Sequence, residues 1–137
     1  MHYHFVSECD FEALIEEDLL LEWAVYNGNY YGTLAEPVRV ANQEGRDVLL
    51  EIEIQGARQI RAHRPDALMF FVAAPSLETL KERLSGRGDT SVSDIDERLG
   101  IAESEMAEAP ELFDHIVLND ILEEATEQIA NLISRSR

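Results

Sequence analysis

Lysine is nearly absent from this chain: Lys81 is the single one among 11 basic residues, which face 28 acidic residues and leave a formal net charge of −17. A field of that sign repels phosphate polymers, so nucleic acid is not an expected partner. So few lysines among so many carboxylates fit either a salt-adapted surface or a plainly acidic one. Cysteine is reduced to Cys9. No internal disulfide can form, and a reducing cytoplasm is the expected location. Long apolar runs are missing too. No stretch approaches the ~18 apolar residues of a membrane helix, and the opening Met1-His2-Tyr3-His4-Phe5 has no basic region leading into an apolar one. Neither a membrane nor export is expected.

What remains is ordinary for a soluble globular protein. The 137 residues are 45% hydrophobic and 28% charged, which suits one domain with its own core and is too apolar for a disordered tail. No repeat, linker or low-complexity segment interrupts it.

The order of elements reads as α/β. Ser7 with Asp10 three residues later has the form of a capping box, and Phe11, Leu14 and Ile15 recur at helical spacing, predicting a helix over 8–18. An apolar stretch over 19–25 and the turn-rich Gly28-Asn29-Tyr30-Tyr31-Gly32 read as strand, turn, strand. Pro37 suits the first turn of a helix that runs to about 44 and ends at Gly45. Residues 48–54 are apolar except for Glu51 and Glu53, as expected of a strand covered on both faces. A helix over 57–63 and a strand over 68–74 follow, and two such strands joined by a helix make a right-handed parallel crossover. Ser76 caps a helix with Leu77, Leu80 and Leu84 on one face, and Gly86 and Gly88 break it. Ser93 with Asp96 starts the next, residues 115–118 form a third short strand, and Ile121 to Ile133 mark a closing amphipathic helix.

Five motifs in order then carry a resemblance. They are Glu22-Trp23-Ala24; Gly28-Asn29-Tyr30-Tyr31-Gly32-Thr33; Glu51-Ile52-Glu53-Ile54-Gln55-Gly56-Ala57; Arg83-Leu84-Ser85-Gly86-Arg87-Gly88; and Val117-Leu118-Asn119-Asp120. Together they resemble guanylate kinase over essentially the whole chain. The resemblance implies a P-loop-kinase-like three-layer parallel sheet lacking its first, central strand. It also implies a small mixed GMP-binding subdomain at about 1–44 and a core over 45–137, with a helical lid near 83–98.

The resemblance also assigns roles, and chemistry supports them. Guanine's Watson–Crick edge offers two adjacent N–H donor groups and a carbonyl, so a selective pocket needs a carboxylate and a hydroxyl. Glu22 and Thr33 match those positions. Tyr3 and Tyr31 match tyrosines that donate to the GMP phosphate, while Tyr30 reads as core. Glu53 stands where the family usually has Asp near the base, and Glu51 suits water-mediated contact with Mg²⁺. Arg83, Arg87 and Arg98 match lid arginines that neutralise the transferring phosphoryl group, a task for guanidinium forks. Asn119 matches a residue beside the ATP adenine.

The family's strand, Gly-rich loop ending in Gly-Lys-Ser or Gly-Lys-Thr, and following helix have no counterpart among these residues. Such a loop wraps ATP phosphates in backbone N–H groups and adds a lysine. The expectation is an N-terminally truncated guanylate kinase, with ATP and Mg²⁺ as implied cofactors, that binds GMP but is inactive alone. The alternative is a non-catalytic guanylate-kinase-like module that binds proteins. Retention of Glu22, Tyr31, Thr33 and the lid arginines weighs against it.

Overall fold

The computed structural model describes residues 3–86 and 91–136, and the chain divides into two compact units between Ala67 and Leu68. This division lies later than the expected subdomain edge at 44, because the helix that follows packs on the first strand.

In the first unit Ser7 caps α1 (Glu8–Glu16), its side chain accepting from the Asp10 N–H as the sequence predicts. Strands β1 (Leu20–Tyr26) and β2 (Asn29–Leu34) form an antiparallel hairpin. Its turn is Asn27-Gly28, at the start of the turn-rich stretch read from the sequence, and residues 29–32 of that stretch belong to β2. Both turn residues hold positive φ, 55° and 78°, as a two-residue turn between right-twisted strands requires. Helix α2 (Ala35–Gln43) follows, with Pro37 in its first turn.

Residues 48–53 are not a strand. Among the described residues the sheets are β1–β2 and the pair in the second unit, so this segment has no ladder, and Leu49 is 85% exposed. A strand exists through its neighbours' hydrogen bonds, and apolar content alone does not make one. Helix α3 (Ile54–His63) therefore starts three residues before the expected helix at 57. Phe11, Ala24, Val38, Ala41, Ala57 and Ile60 make the core, and Tyr30 stacks on Phe11 at 5.0 Å between ring centres, as the core reading expects.

The second unit holds β3 (Phe70–Ala73), α4 (Leu77–Ser85), α5 (Val92–Leu112), β4 (His115–Leu118) and α6 (Leu122–Arg135). Strands β3 and β4 pair in parallel, in register from Phe70 with His115 to Ala73 with Leu118. Ser76 caps α4 through the Thr79 N–H. Ser91, two residues before the expected cap at Ser93, caps α5 by accepting from the Asp94 N–H. An earlier start adds backbone hydrogen bonds without turning the Ile95 face away from the core. The Asp114 carboxylate accepts from the Met69 N–H at 2.7 Å, and the Asn119 N–H donates to the Ala73 carbonyl at 2.7 Å, which pins the sheet at both ends.

The sheets are thus small and two-stranded; the fold is α/β, and the described residues do not form a three-stranded parallel sheet. Val117 is completely enclosed, with Ala73 and Ala109 around the same core. Val117→Ala should cost about 2 kcal/mol, the transfer of two methyl groups plus a residual cavity. Urea unfolding would read it, and a loss below about 0.5 kcal/mol would show that this core is not what holds the second unit.

Candidate functional site

Glu22 sits on β1 opposite Thr33 on β2, so the hairpin register alone sets the two side chains on one face. The Thr33 hydroxyl donates to Glu22 Oε1 at 2.7 Å. Glu22 is 5% exposed, the one buried charged residue among those described. Burial pushes its carboxyl above the ordinary 4.5; the Thr33 hydrogen bond works against that rise, and the nearby Glu53 charge adds to it. A carboxylate is not kept in such a place for stability.

Helix α3 comes close beneath this carboxylate. A Cβ added to Gly56 would lie 2.0 Å from Glu22 Oε2 and 2.9 Å from its carboxyl carbon. Gly56 is therefore glycine because the Glu22 side chain occupies the space of any larger residue. Glu53, which caps α3 without a side-chain capping bond, projects charge into the same place. The sequence-predicted Glu22, Thr33 and Glu53 are thus gathered in one small region.

Tyr31 continues β2 two residues before Thr33. The Tyr3 ring meets it edge-on at 6.0 Å, and the Tyr26 ring does so at 6.5 Å. All three rings are exposed, so their hydroxyls can meet a solvent-borne group. Tyr26 had no role in the sequence reading, although its place beside the hairpin turn, opposite Asn29, was there to be used. Gln55 and Gln59 of α3, which hydrogen-bond the Val25 and Trp23 backbone of β1, had no role there either. Glu51 is exposed on the segment before α3, and no group of three His, Cys, Asp or Glu among the described residues could hold a metal.

In the second unit Arg83 lies exposed on α4 and Arg98 exposed on α5, while half-buried Asn119 follows β4. Arg87 falls outside the described residues. The given residues contain no Gly-Lys-Ser or Gly-Lys-Thr loop, so they do not themselves supply that cradle for ATP phosphates.

Chemically, the first unit offers a buried anionic acceptor beside a hydroxyl, with phenol hydroxyls nearby. The raised Glu22 carboxyl has a consequence for folding. Between 4.5 and its higher folded value, the folded chain binds more protons than the unfolded one, so this group's contribution to stability is lost as pH rises through that window. Glu22→Gln carries no charge there. Its stability relative to the unsubstituted chain should increase with pH across the window and level off above it. Urea midpoints for both chains over a pH series would show this; a constant difference would mean that Glu22 is not buried as described.

The family model described as guanylate kinase matches residues 1–136. The chain is 47% identical over 131 residues to the guanylate kinase of Synechocystis sp., an overlap of 96% of this chain and 68% of that protein. Against the guanylate kinase of Neisseria meningitidis it is 44% identical over 137 residues, covering 100% of this chain and 66% of the relative. For that of Thermus thermophilus the identity is 47%, with 98% of this chain matched to 61% of the relative. The crystal structure of guanylate kinase from Anaplasma phagocytophilum superposes with a TM-score of 0.79 over 97% of this chain and 64% of that one, at 26% identity. The chain thus spans roughly two thirds of the length of these relatives. By the extent of the family match and the level of identity, it belongs to the guanylate kinase family.

Proposed function

We propose that this chain forms the GMP-recognising and lid-bearing part of an ATP-dependent, Mg²⁺-requiring GMP kinase, and that it reads guanine through Glu22 and Thr33. The observation that carries this is the buried Glu22–Thr33 pair over Gly56. Before binding, the one hydroxyl proton of Thr33 satisfies the carboxylate. With guanine seated, the two base N–H groups take over the carboxylate and the freed hydroxyl turns to the base carbonyl. One hydrogen bond is exchanged for three. Adenine would set a ring-nitrogen lone pair against the carboxylate and leave buried polar groups unpaired, the strongest basis for rejection a site can have.

The remaining assignments belong to the same proposal. Tyr3 and Tyr31 donate hydroxyls to the GMP phosphate, supported by the contact of their rings. Glu53 limits the depth of the base, supported by its electrostatic contact with Glu22. Arg83, Arg87 and Arg98 serve as lid arginines, Asn119 lies beside the adenine of ATP, and Glu51 faces Mg²⁺ through water. In the whole enzyme the parallel β3–β4 pair is part of a three-layer sheet of the P-loop-kinase type, the chain acts as one domain, and the setting is cytoplasmic.

Calorimetric titration with GMP and AMP tests the central claim. The chain should prefer GMP, and Glu22→Gln should weaken GMP by roughly 1–3 kcal/mol, the cost of turning one acceptor into a donor that faces base N–H groups. Equal affinity for both nucleotides, or unchanged GMP binding by the variant, would overturn it.

Gly56→Ala separates site from scaffold. The helix gains about 0.5–1 kcal/mol from the change, while the displaced Glu22 side chain loses a hydrogen bond of similar worth. Unfolding free energy should therefore move by less than about 1 kcal/mol, whereas GMP binding should fall at least as far as in Glu22→Gln. Retained GMP affinity in a folded Gly56→Ala chain would show that the carboxylate is not held where described.

A further inference from the structure

The outer edge of β1 ends in side chains. In an antiparallel pair every second residue directs its N–H and C=O away from the neighbouring strand, and an edge left like that must be covered or paired. Here two glutamines of α3 cover it. Gln59 Oε1 accepts from the Trp23 N–H at 3.0 Å, and Gln59 Nε2 donates to the Trp23 carbonyl at 2.5 Å. Gln55 Oε1 accepts from the Val25 N–H at 3.4 Å, and its Nε2 donates to the Val25 carbonyl at 3.3 Å. Each primary amide copies the donor and acceptor of a strand residue.

The spacing makes this a register device. Four residues of helix rise about 6 Å, and two residues of strand rise about 6.7 Å, so Gln55 and Gln59 meet Val25 and Trp23 in step, with α3 antiparallel to β1. A slip of α3 by one turn would bring one glutamine to the other's place and break two of the four bonds, and a slip by one or two residues would break all of them. The small Ala24 and Ala57, each 2% exposed, fill the space of close approach between strand and helix. Gly56 lies between the two glutamines in sequence, and Glu22 is next to Trp23. Locking Trp23 to Gln59 therefore locks the carboxylate of Glu22 above the single α carbon that leaves it room.

We infer that Gln59, with Gln55 in support, is a positioning residue for base selectivity: it holds α3 in the register that sets the Glu22 carboxylate for guanine without touching the base itself. The inference rests on the proposed reading of Glu22 and deepens it. Guanine discrimination then depends on a bond to the strand backbone made from a neighbouring helix. Gln55 makes the longer pair of bonds and is exposed, so its loss should count for less than that of Gln59.

The test uses Gln59→Leu, which keeps bulk and removes both amide bonds, with Gln55→Leu as the graded case. Val117→Ala, in the other unit, is the control for destabilisation alone. GMP and AMP affinities are measured for each chain at a temperature where circular dichroism shows it folded. A purely structural loss lowers both affinities through the folded fraction and leaves their ratio unchanged, as Val117→Ala should. Loss of positioning lowers the GMP-to-AMP ratio, by roughly tenfold for Gln59→Leu, the scale of one mis-set hydrogen bond, and by less for Gln55→Leu. If Gln59→Leu proves too unstable to titrate, Gln59→Glu, which keeps the acceptor for the Trp23 N–H and loses the donor, should show an intermediate ratio. An unchanged ratio in a folded Gln59 variant overturns this inference, while absence of GMP preference in the unsubstituted chain overturns the reading of the site beneath it.

Discussion

A buried carboxylate with one hydroxyl partner is a costly thing to build, and the first unit is arranged around it. Taking a charge from water is unfavourable unless the surroundings replace the lost hydration, and among the described residues Glu22 receives its side-chain hydrogen bond from Thr33. Its carboxyl responds by rising above the ordinary range. Most features of the unit then become conditions for that placement: a hairpin register that sets residue 33 opposite residue 22, a helix that comes close because positions 56 and 57 are small, and an edge of β1 closed by amides instead of by another strand.

In the proposed reading such a site is poised: one internal hydrogen bond holds it, and a base with two N–H groups would offer it more. The acidic surface works against affinity for any nucleotide and leaves the choice between bases alone. A net charge of −17 disfavours any dianion at long range, and added salt within the Debye length weakens that repulsion. The proposed base contacts, being short-ranged and enclosed, would be screened far less. Affinity and discrimination therefore answer to different parts of the molecule and different solution conditions.

Much of this was legible in the sequence, and the failures have distinct causes. Helix starts at Ser7 and Ser76 were readable because an oxygen side chain three residues ahead of an N–H is a local device. Ser91 was overlooked in favour of Ser93, since two serines two apart offer nearly the same signal. The hairpin turn was also local: the turn-rich stretch from Gly28 was read, but the Asn27 that completes the turn was not included. Residues 48–53 mark the real limit. Their apolar pattern states a preference for burial, whereas strand identity depends on a neighbour that pattern cannot name. Glu22, Thr33 and Glu53, singled out through their motifs, do lie together, but Gln55 and Gln59 resembled an ordinary polar helix face until β1 was seen beside them.

The absent side chain at residue 56 has a consequence for how this site can change. Because the Glu22 carboxyl occupies the volume a Cβ would fill, positions 22 and 56 form one coupled choice. A shorter residue at 22 would leave a vacancy under the base, and the natural way to fill it is a side chain at 56. Once filled, that position would bar the return of glutamate. A pocket of this kind can move to another base only through a paired replacement, and each paired replacement closes the way back. Readings of related chains should therefore find these two positions changing together or not at all.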